Sequence, residues 1–207
     1  MLETLALWII ALVERLQALD MAAFHLINHD WIHPALDPVM VFLTQLGLGH
    51  AQLTLLIPLY VWGGPAGRRT AILCAIAFLV SGLGAQILKN GIPRLRPFLV
   101  VDDCRFLTGV LRFRSFPSGH TATSFAIAWV AGARHPRWRA PLLLLAALIG
   151  YSRAYVGVHF PGDALAAAVI GIATGVASLE EGRRLDRRRA AGLPAVPPEK
   201  REEAGVR

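Results

Sequence analysis

Three polar stretches place phosphate-binding and phosphate-attacking groups among apolar neighbours. Residues 89–97 read KNGIPRLRP, residues 117–120 read PSGH, and residues 152–163 read SRAYVGVHFPGD. Lys89, Arg96 and Arg153 are cations suited to phosphate oxygens: arginine offers a forked, two-pronged contact and lysine a point charge. PSGH brings small residues to a helix entry, where free backbone N–H groups and the helix dipole favour an anion. Ser118 adds a hydroxyl donor, and Gly119 lets the backbone approach closely. Two histidines remain, His120 and His159. One can attack phosphorus as a neutral imidazole while the other protonates a leaving oxygen. Asp163 can hold a histidine in the correct tautomer, as a triad carboxylate does. The chemistry of the set is phosphoryl transfer.

Each piece alone has a plainer reading. A lysine at a helix end can snorkel to a membrane interface, PSGH can be a helix start with an incidental histidine, Arg153 a topological anchor, and His159 a structural residue. The specific signal is the ordered combination K-x6-R-P, P-S-G-H, S-R-x5-H-x3-D.

The elements that must position these groups are membrane helices. The chain has 207 residues, which suits one domain, and is 55% hydrophobic and 17% charged. Soluble domains carry about a quarter charged residues. Residues 38–67, 70–88 and 164–179 contain no Asp, Glu, Lys or Arg. A bilayer-spanning helix needs roughly 20 mostly apolar residues, and these blocks show none of the polar faces a soluble bundle would present. The pattern predicts an all-α, integral-membrane helical bundle of about six transmembrane helices. A first helix over residues 2–27 is apolar, then amphipathic, and can span or lie in the interface. A short interfacial helix precedes a span over 50–62, GGPAGRR is a turn, and further spans cover 70–89, 118–133 and 140–152. The last begins at Pro161, a favoured first-turn residue, and ends before EEGRRLDRRR. Residues 1–182 form a single membrane-embedded domain, and residues 183–207 a charged, disordered tail.

Two-helix hops return the three polar stretches to one membrane face. The opposite face carries Arg68, Arg69, Arg134, Arg137 and Arg139 together with the arginine-rich tail, so it is cytoplasmic by the positive-inside bias. The site then lies at the non-cytoplasmic end. The net charge of +7 reads as topology and contact with anionic lipid, not as nucleic-acid binding.

The three motifs resemble the type 2 phosphatidic acid phosphatase superfamily, the membrane lipid phosphate phosphatases, over residues 89–163 and the helices around them, with no departure at a signature position. The resemblance implies a six-span fold and a reaction that needs no metal or other cofactor. It implies His159 as the nucleophile that forms a phosphohistidine, Asp163 as the group that orients it, and His120 as the general acid that later assists water. Lys89, Arg96, Ser118, Gly119 and Arg153 would bind the phosphoryl oxygens. The implied partners are a membrane lipid phosphate and the bilayer, in a bacterial inner membrane. Among family substrates the short chain, lean loops and extra arginines favour undecaprenyl diphosphate. Phosphatidylglycerophosphate, phosphatidate and lipid A phosphates are the alternatives, as is phosphoryl transfer to another lipid at the same site. A non-catalytic scaffold or transporter would have no need of both histidines and Asp163.

Other features have no part in that set. Arg94, Arg105, Arg112 and Arg114 can widen the phosphate site toward a diphosphate or contact lipid headgroups. Cys74 lies in an apolar block and Cys104 in a polar loop, so no disulfide is expected. His25, His29 and His33 recur every four residues, as zinc ligands on a helix can. The NHD turn and Pro34 end the helix among them, however, and no cysteine or carboxylate pattern completes a site. They read as interfacial histidines.

Overall fold

The computed structural model describes residues 1–109 and 114–192. Among them the chain is helical throughout, with one isolated antiparallel bridge between Leu95 and Arg114 and no strand. Helix α1 (Leu2–His25) passes into a π turn (Leu26–Asp30), followed by α2 (Asp37–Leu46), α3 (Gly49–Trp62) and α4 (Gly64–Gly91). A short α5 (Pro97–Val100) lies in the long polar connection to α6 (Gly119–Arg134). A 3₁₀ turn (Pro136–Trp138) leads to α7 (Arg139–Tyr155), and α8 (Pro161–Ala190) closes the described chain.

Helix α6 is the centre, flanked by α4, α7 and α8. Its buried positions are small: Ala122, Ala126, Ala128, Ala131 and Gly132. Helix α8 presents Gly171 and Gly175 to it. A Cβ on Gly171 would stand 2.3 Å from the Ala122 carbonyl oxygen, so only glycine permits this backbone approach, as in small-xxx-small membrane helix pairs. The large apolar side chains point outward. On α4, Ile72, Ile76, Leu79, Leu83 and Ile87 are exposed while Cys74, Ala77, Ser81 and Ala85 are buried. Large residues outside and small ones inside suit helices whose surroundings are lipid.

By length and composition α4 and α8 can cross a membrane, and α2 with α3, bent by 68° at their junction, qualify together as a broken span. That credits up to three spans against the six expected. Helices α6 and α7 have 16 and 17 residues, or about 25 Å at 1.5 Å per residue, short of a hydrocarbon core of about 30 Å.

Several boundaries move. Helix α4 starts at Gly64, not after Arg69, because Pro65 is preorganised for a first turn; most of GGPAGRR is helix. Helix α7 runs on to Tyr155 and carries Arg153 in its last turn. Helix α8 continues to Ala190, so the charged segment through residue 190 is helical rather than disordered. There Glu180 meets Arg184 at 3.5 Å and Arg187 at 2.9 Å, and Arg69 of α4 pairs with Asp186. Residues 193–207 of the expected tail lie outside the described residues.

Candidate active site

The N-termini of α6 and α8 and the C-termini of α4 and α7 converge at one end of the bundle. Two residues past the end of α7 comes Gly157, whose φ of 80° suits a residue without a Cβ. The chain then turns back: the N–H groups of Val158 and His159 both donate to the Arg153 carbonyl, at 3.1 and 3.2 Å. His159 is thereby fixed immediately before Phe160, the N-cap of α8, and Asp163 falls three residues inside that helix.

His159 is 2% exposed and Asp163 fully buried. The imidazole Nδ1 lies 3.3 Å from Asp163 Oδ2 and 3.2 Å from Ser115 Oγ. Its Nε2 lies 3.2 Å from an Arg96 guanidinium nitrogen, which also donates to the Val158 carbonyl at 2.8 Å. A guanidinium can only donate, so Nε2 is the nitrogen with the lone pair and Nδ1 carries the proton toward the carboxylate. Burial first, then the charges of Arg153, Arg96 and Lys89, hold His159 well below the usual histidine range. The imidazole is held in its neutral form.

Asp163 is held on both oxygens. Oδ2 accepts from the Phe160 N–H at 3.0 Å and from the Ser115 hydroxyl, so it caps α8 as well as orienting His159. Oδ1 accepts from Arg94 at 2.7 Å. Arg94 also pairs with Asp20 of α1, and its guanidinium lies over the Phe160 ring at 4.4 Å. Asp20 in turn accepts from the Gly162 N–H at 2.6 Å.

The remaining predicted residues surround this pair. Arg96 is 6% exposed, and burial lowers its pKa against the opposing charge of Asp163. Arg153, 3% exposed, donates to Thr44 of α2, while its buried Nε has no hydrogen-bond partner among the described residues. An orphaned buried donor is costly unless an acceptor comes to it, and a phosphoryl oxygen is such an acceptor. Lys89 Nζ lies 3.5 Å from the Ser115 carbonyl. Ser118 stands at the N-cap position of α6, and its N–H donates to the Asp163 carbonyl at 3.2 Å. Beside Gly119 a Cβ would meet nothing within 4 Å, so the first turn of α6 faces open space. His120 follows it. The elbow between α2 and α3 closes on this histidine: a Cβ on Gly47 would stand 2.9 Å from His120 Cδ2.

All eight predicted residues therefore belong to one end of the bundle, and His159, Asp163 and Arg96 are in direct contact. Three further arginines have other duties. Arg94 holds Asp163. Arg105 pairs with Asp37, and Arg114 donates to the Lys89 and Asn90 carbonyls at the end of α4. Arg112 lies outside the described residues. Sequence reasoning missed Ser115, Asp20, Thr44 and Gly47. Ser115 sits three residues ahead of Ser118 in the same loop, a usable hint; the others come from helices that carry no motif.

The sequence profile of the PAP2 superfamily matches residues 70–182, more than half of the chain. The chain belongs to the PAP2 superfamily. An undecaprenyl-diphosphatase of Sulfolobus acidocaldarius is 31% identical over 149 residues, covering 72% of this chain and 71% of the relative. A lipid A 1-phosphatase of Rhizobium etli is 37% identical over 95 residues, 44% of this chain and 41% of that protein. The crystal structure of Aquifex aeolicus LpxE superposes with a TM-score of 0.71 at 36% identity, over 78% of this chain and 95% of that one. The matched region spans all eight residues singled out in the sequence, from Lys89 to Asp163. Among these relatives are phosphatases of membrane lipids, and the chain is a lipid phosphatase of that family.

Proposed function

We propose that this PAP2 phosphatase hydrolyses undecaprenyl diphosphate to the monophosphate and inorganic phosphate through a phosphohistidine. One observation carries the mechanism: His159 turns Nε2 to Arg96 and Nδ1 to Asp163. The Nε2 lone pair attacks the terminal phosphorus, and the bond to the bridging oxygen breaks. His120 gives its proton to the departing lipid monophosphate. Water then attacks the phosphohistidine and His120 takes its proton. The N–P bond breaks, releasing phosphate and a neutral His159. Arg96, Arg153, Lys89 and the first turn of α6 at Ser118 and Gly119 hold the phosphoryl oxygens throughout, where donors aimed at developing charge are worth most. No step requires a metal.

The substrate reading rests on extent of likeness. The undecaprenyl-diphosphatase aligns over 72% of this chain and the lipid A 1-phosphatase over 44%. An apolar cleft of about 370 Å³ supports a long hydrocarbon substrate. It starts at Gln52, Ser124 and Ile149, close under His120, and continues between Leu55, Leu59 and Leu142 toward Trp138. In this reading residues 1–182 form one membrane-embedded domain with α1, the α2–α3 pair, α4, α6, α7 and α8 as six spans. Shorter helices are accommodated by local thinning of the bilayer. The site opens on the non-cytoplasmic face of a bacterial inner membrane, and the basic end of α8 with residues 191–207 lies in the cytoplasm.

A substrate panel in detergent tests the proposal: undecaprenyl diphosphate, lipid A, phosphatidylglycerophosphate and phosphatidate, read as phosphate release. The highest kcat/KM belongs to the diphosphate, and His159→Ala traps no acid-labile phosphoenzyme. A higher kcat/KM for lipid A moves the substrate assignment. A normal phosphoenzyme in His159→Ala overturns the nucleophile.

A further inference from the structure

The π turn after α1 gathers groups that the phosphatase reaction does not use. His25 and His29 stack with ring centroids 5.2 Å apart, and Asp103 of the long connection faces them. The three side chains bring one ligand atom each to within 4.8 Å of one another. His29 Nε2 is buried without a hydrogen bond among the described residues and lies 3.8 Å from Asp103 Oδ1. That separation is too long for a hydrogen bond. It is close to the spacing of two ligands on one tetrahedral ion, ~3.4 Å for metal–ligand lengths of ~2.1 Å.

We propose that His25, His29 and Asp103 bind a divalent cation of the zinc class, separate from the phosphoryl-transfer site, and thereby tie the end of α1 to the 101–109 loop. Two imidazoles and one carboxylate suit zinc, cobalt or nickel, whereas calcium and magnesium call for oxygen ligands. The fourth position is left to water on the exposed side, where Asp103 is 69% accessible. His33, spaced to share a helix face with the other two, lies apart from this group: its Nδ1 accepts from the Ala35 N–H at 3.2 Å. The carboxylate comes from a loop distant in sequence.

The two halves of the site are already held in register. Asn28, fully buried between the two histidines, donates to the Arg105 and Tyr155 carbonyls at 3.0 and 2.8 Å and accepts from the Arg105 N–H at 2.8 Å. The turn bearing the histidines and the loop bearing Asp103 are thus fixed by a separate set of bonds, so small side-chain rotations close the ligands on an ion. The same loop lies against the turn that leads to His159: Cys104 Sγ is 3.6 Å from the Gly157 carbonyl oxygen. The ion would brace that turn without entering the reaction.

The experiment uses untagged full-length protein in detergent, stripped with chelator, desalted, and dialysed against zinc or cobalt chloride. Wild type retains one equivalent, gives the visible spectrum of four-coordinate cobalt, and melts at higher temperature with zinc. His29→Ala and Asp103→Asn lose the equivalent and the thermal shift, while His120→Ala keeps both. Asp103→Asn changes an exposed side chain at constant size, so loss there cannot be assigned to misfolding if its metal-free melting temperature matches that of wild type. No retained metal in wild type, full retention in His29→Ala, or loss in His120→Ala alone overturns the proposal. None of these readouts depends on phosphate release, so the result stands apart from the substrate assignment.

Discussion

Arg94 separates two accounts of the site, because a second phosphate-binding arginine and an arginine that positions Asp163 fail differently when removed. Asp163 is 0% and Arg94 28% exposed, so their 2.7 Å contact is shielded on the carboxylate side. Arg94→Met removes two charge-assisted hydrogen bonds, of which the one to Asp163 is worth about 1.5–3 kcal/mol at a buried site. Ser115 and the Phe160 N–H still hold Oδ2, so the loss falls on Oδ1 and on the link to Asp20. If the imidazole's alignment degrades by that amount in the transition state, kcat falls about 10- to 150-fold, at 1.36 kcal/mol per decade. KM stays near wild type, because Arg94 is engaged by Asp163 and Asp20. The fall is the same for undecaprenyl diphosphate and for phosphatidate. Arg94→Lys recovers part of the activity: it restores charge but cannot bridge two carboxylates with a fork. Steady-state phosphate release on both lipids measures this, with thermal unfolding as a control on folded protein. A KM rise confined to the diphosphate with kcat retained would place Arg94 on a second phosphate and refute the positioning role. An unchanged kcat on both lipids would equally refute it.

Two further perturbations probe the histidines. Gly47→Ala puts a Cβ 2.8 Å from Ile149 Cγ2 and 2.9 Å from His120 Cδ2, an overpacking that displaces the proposed general acid. Its kcat falls several-fold on a lipid phosphate but little on p-nitrophenyl phosphate, whose leaving group needs no proton; equal losses on both would separate Gly47 from the acid role. His159, its pKa lowered by burial and neighbouring cations, stays neutral as pH falls through the ordinary value of about 6.5 and protonates only further down. Removing the cation in Arg96→Gln favours imidazolium and moves that transition upward. The Cε1 carbon-NMR signal of His159 reads both midpoints, and a wild-type midpoint at or above 6.5 contradicts the description of the site.

The chemistry was legible in the sequence because each motif occupies the end of a helix, and helix ends follow from local signals. Pro161 opens α8 and Ser118 stands at the N-cap position of α6, so the placement of Asp163 and His120 in first turns is set by residues beside them. Apolar blocks likewise announce helices. The sequence alone therefore determined the helical class, the order of the elements, the cations and the two histidines. Tertiary structure decided which side chains hold them. Asp20, Thr44 and Gly47 lie on α1, α2 and the α2–α3 elbow, segments without a motif, and reach the site only because those helices dock on α7 and α8. The direction of Arg94 and Arg105 was open for the same reason: an arginine in a polar loop pairs with whichever carboxylate packing delivers, and packing delivered Asp163 and Asp37. Helical spacing also grouped His33 with His25 and His29, where the fold supplied Asp103. Spacing along a chain specifies neighbours only within one helix; across the bundle, proximity is settled by how small residues such as Gly171 let the helices meet.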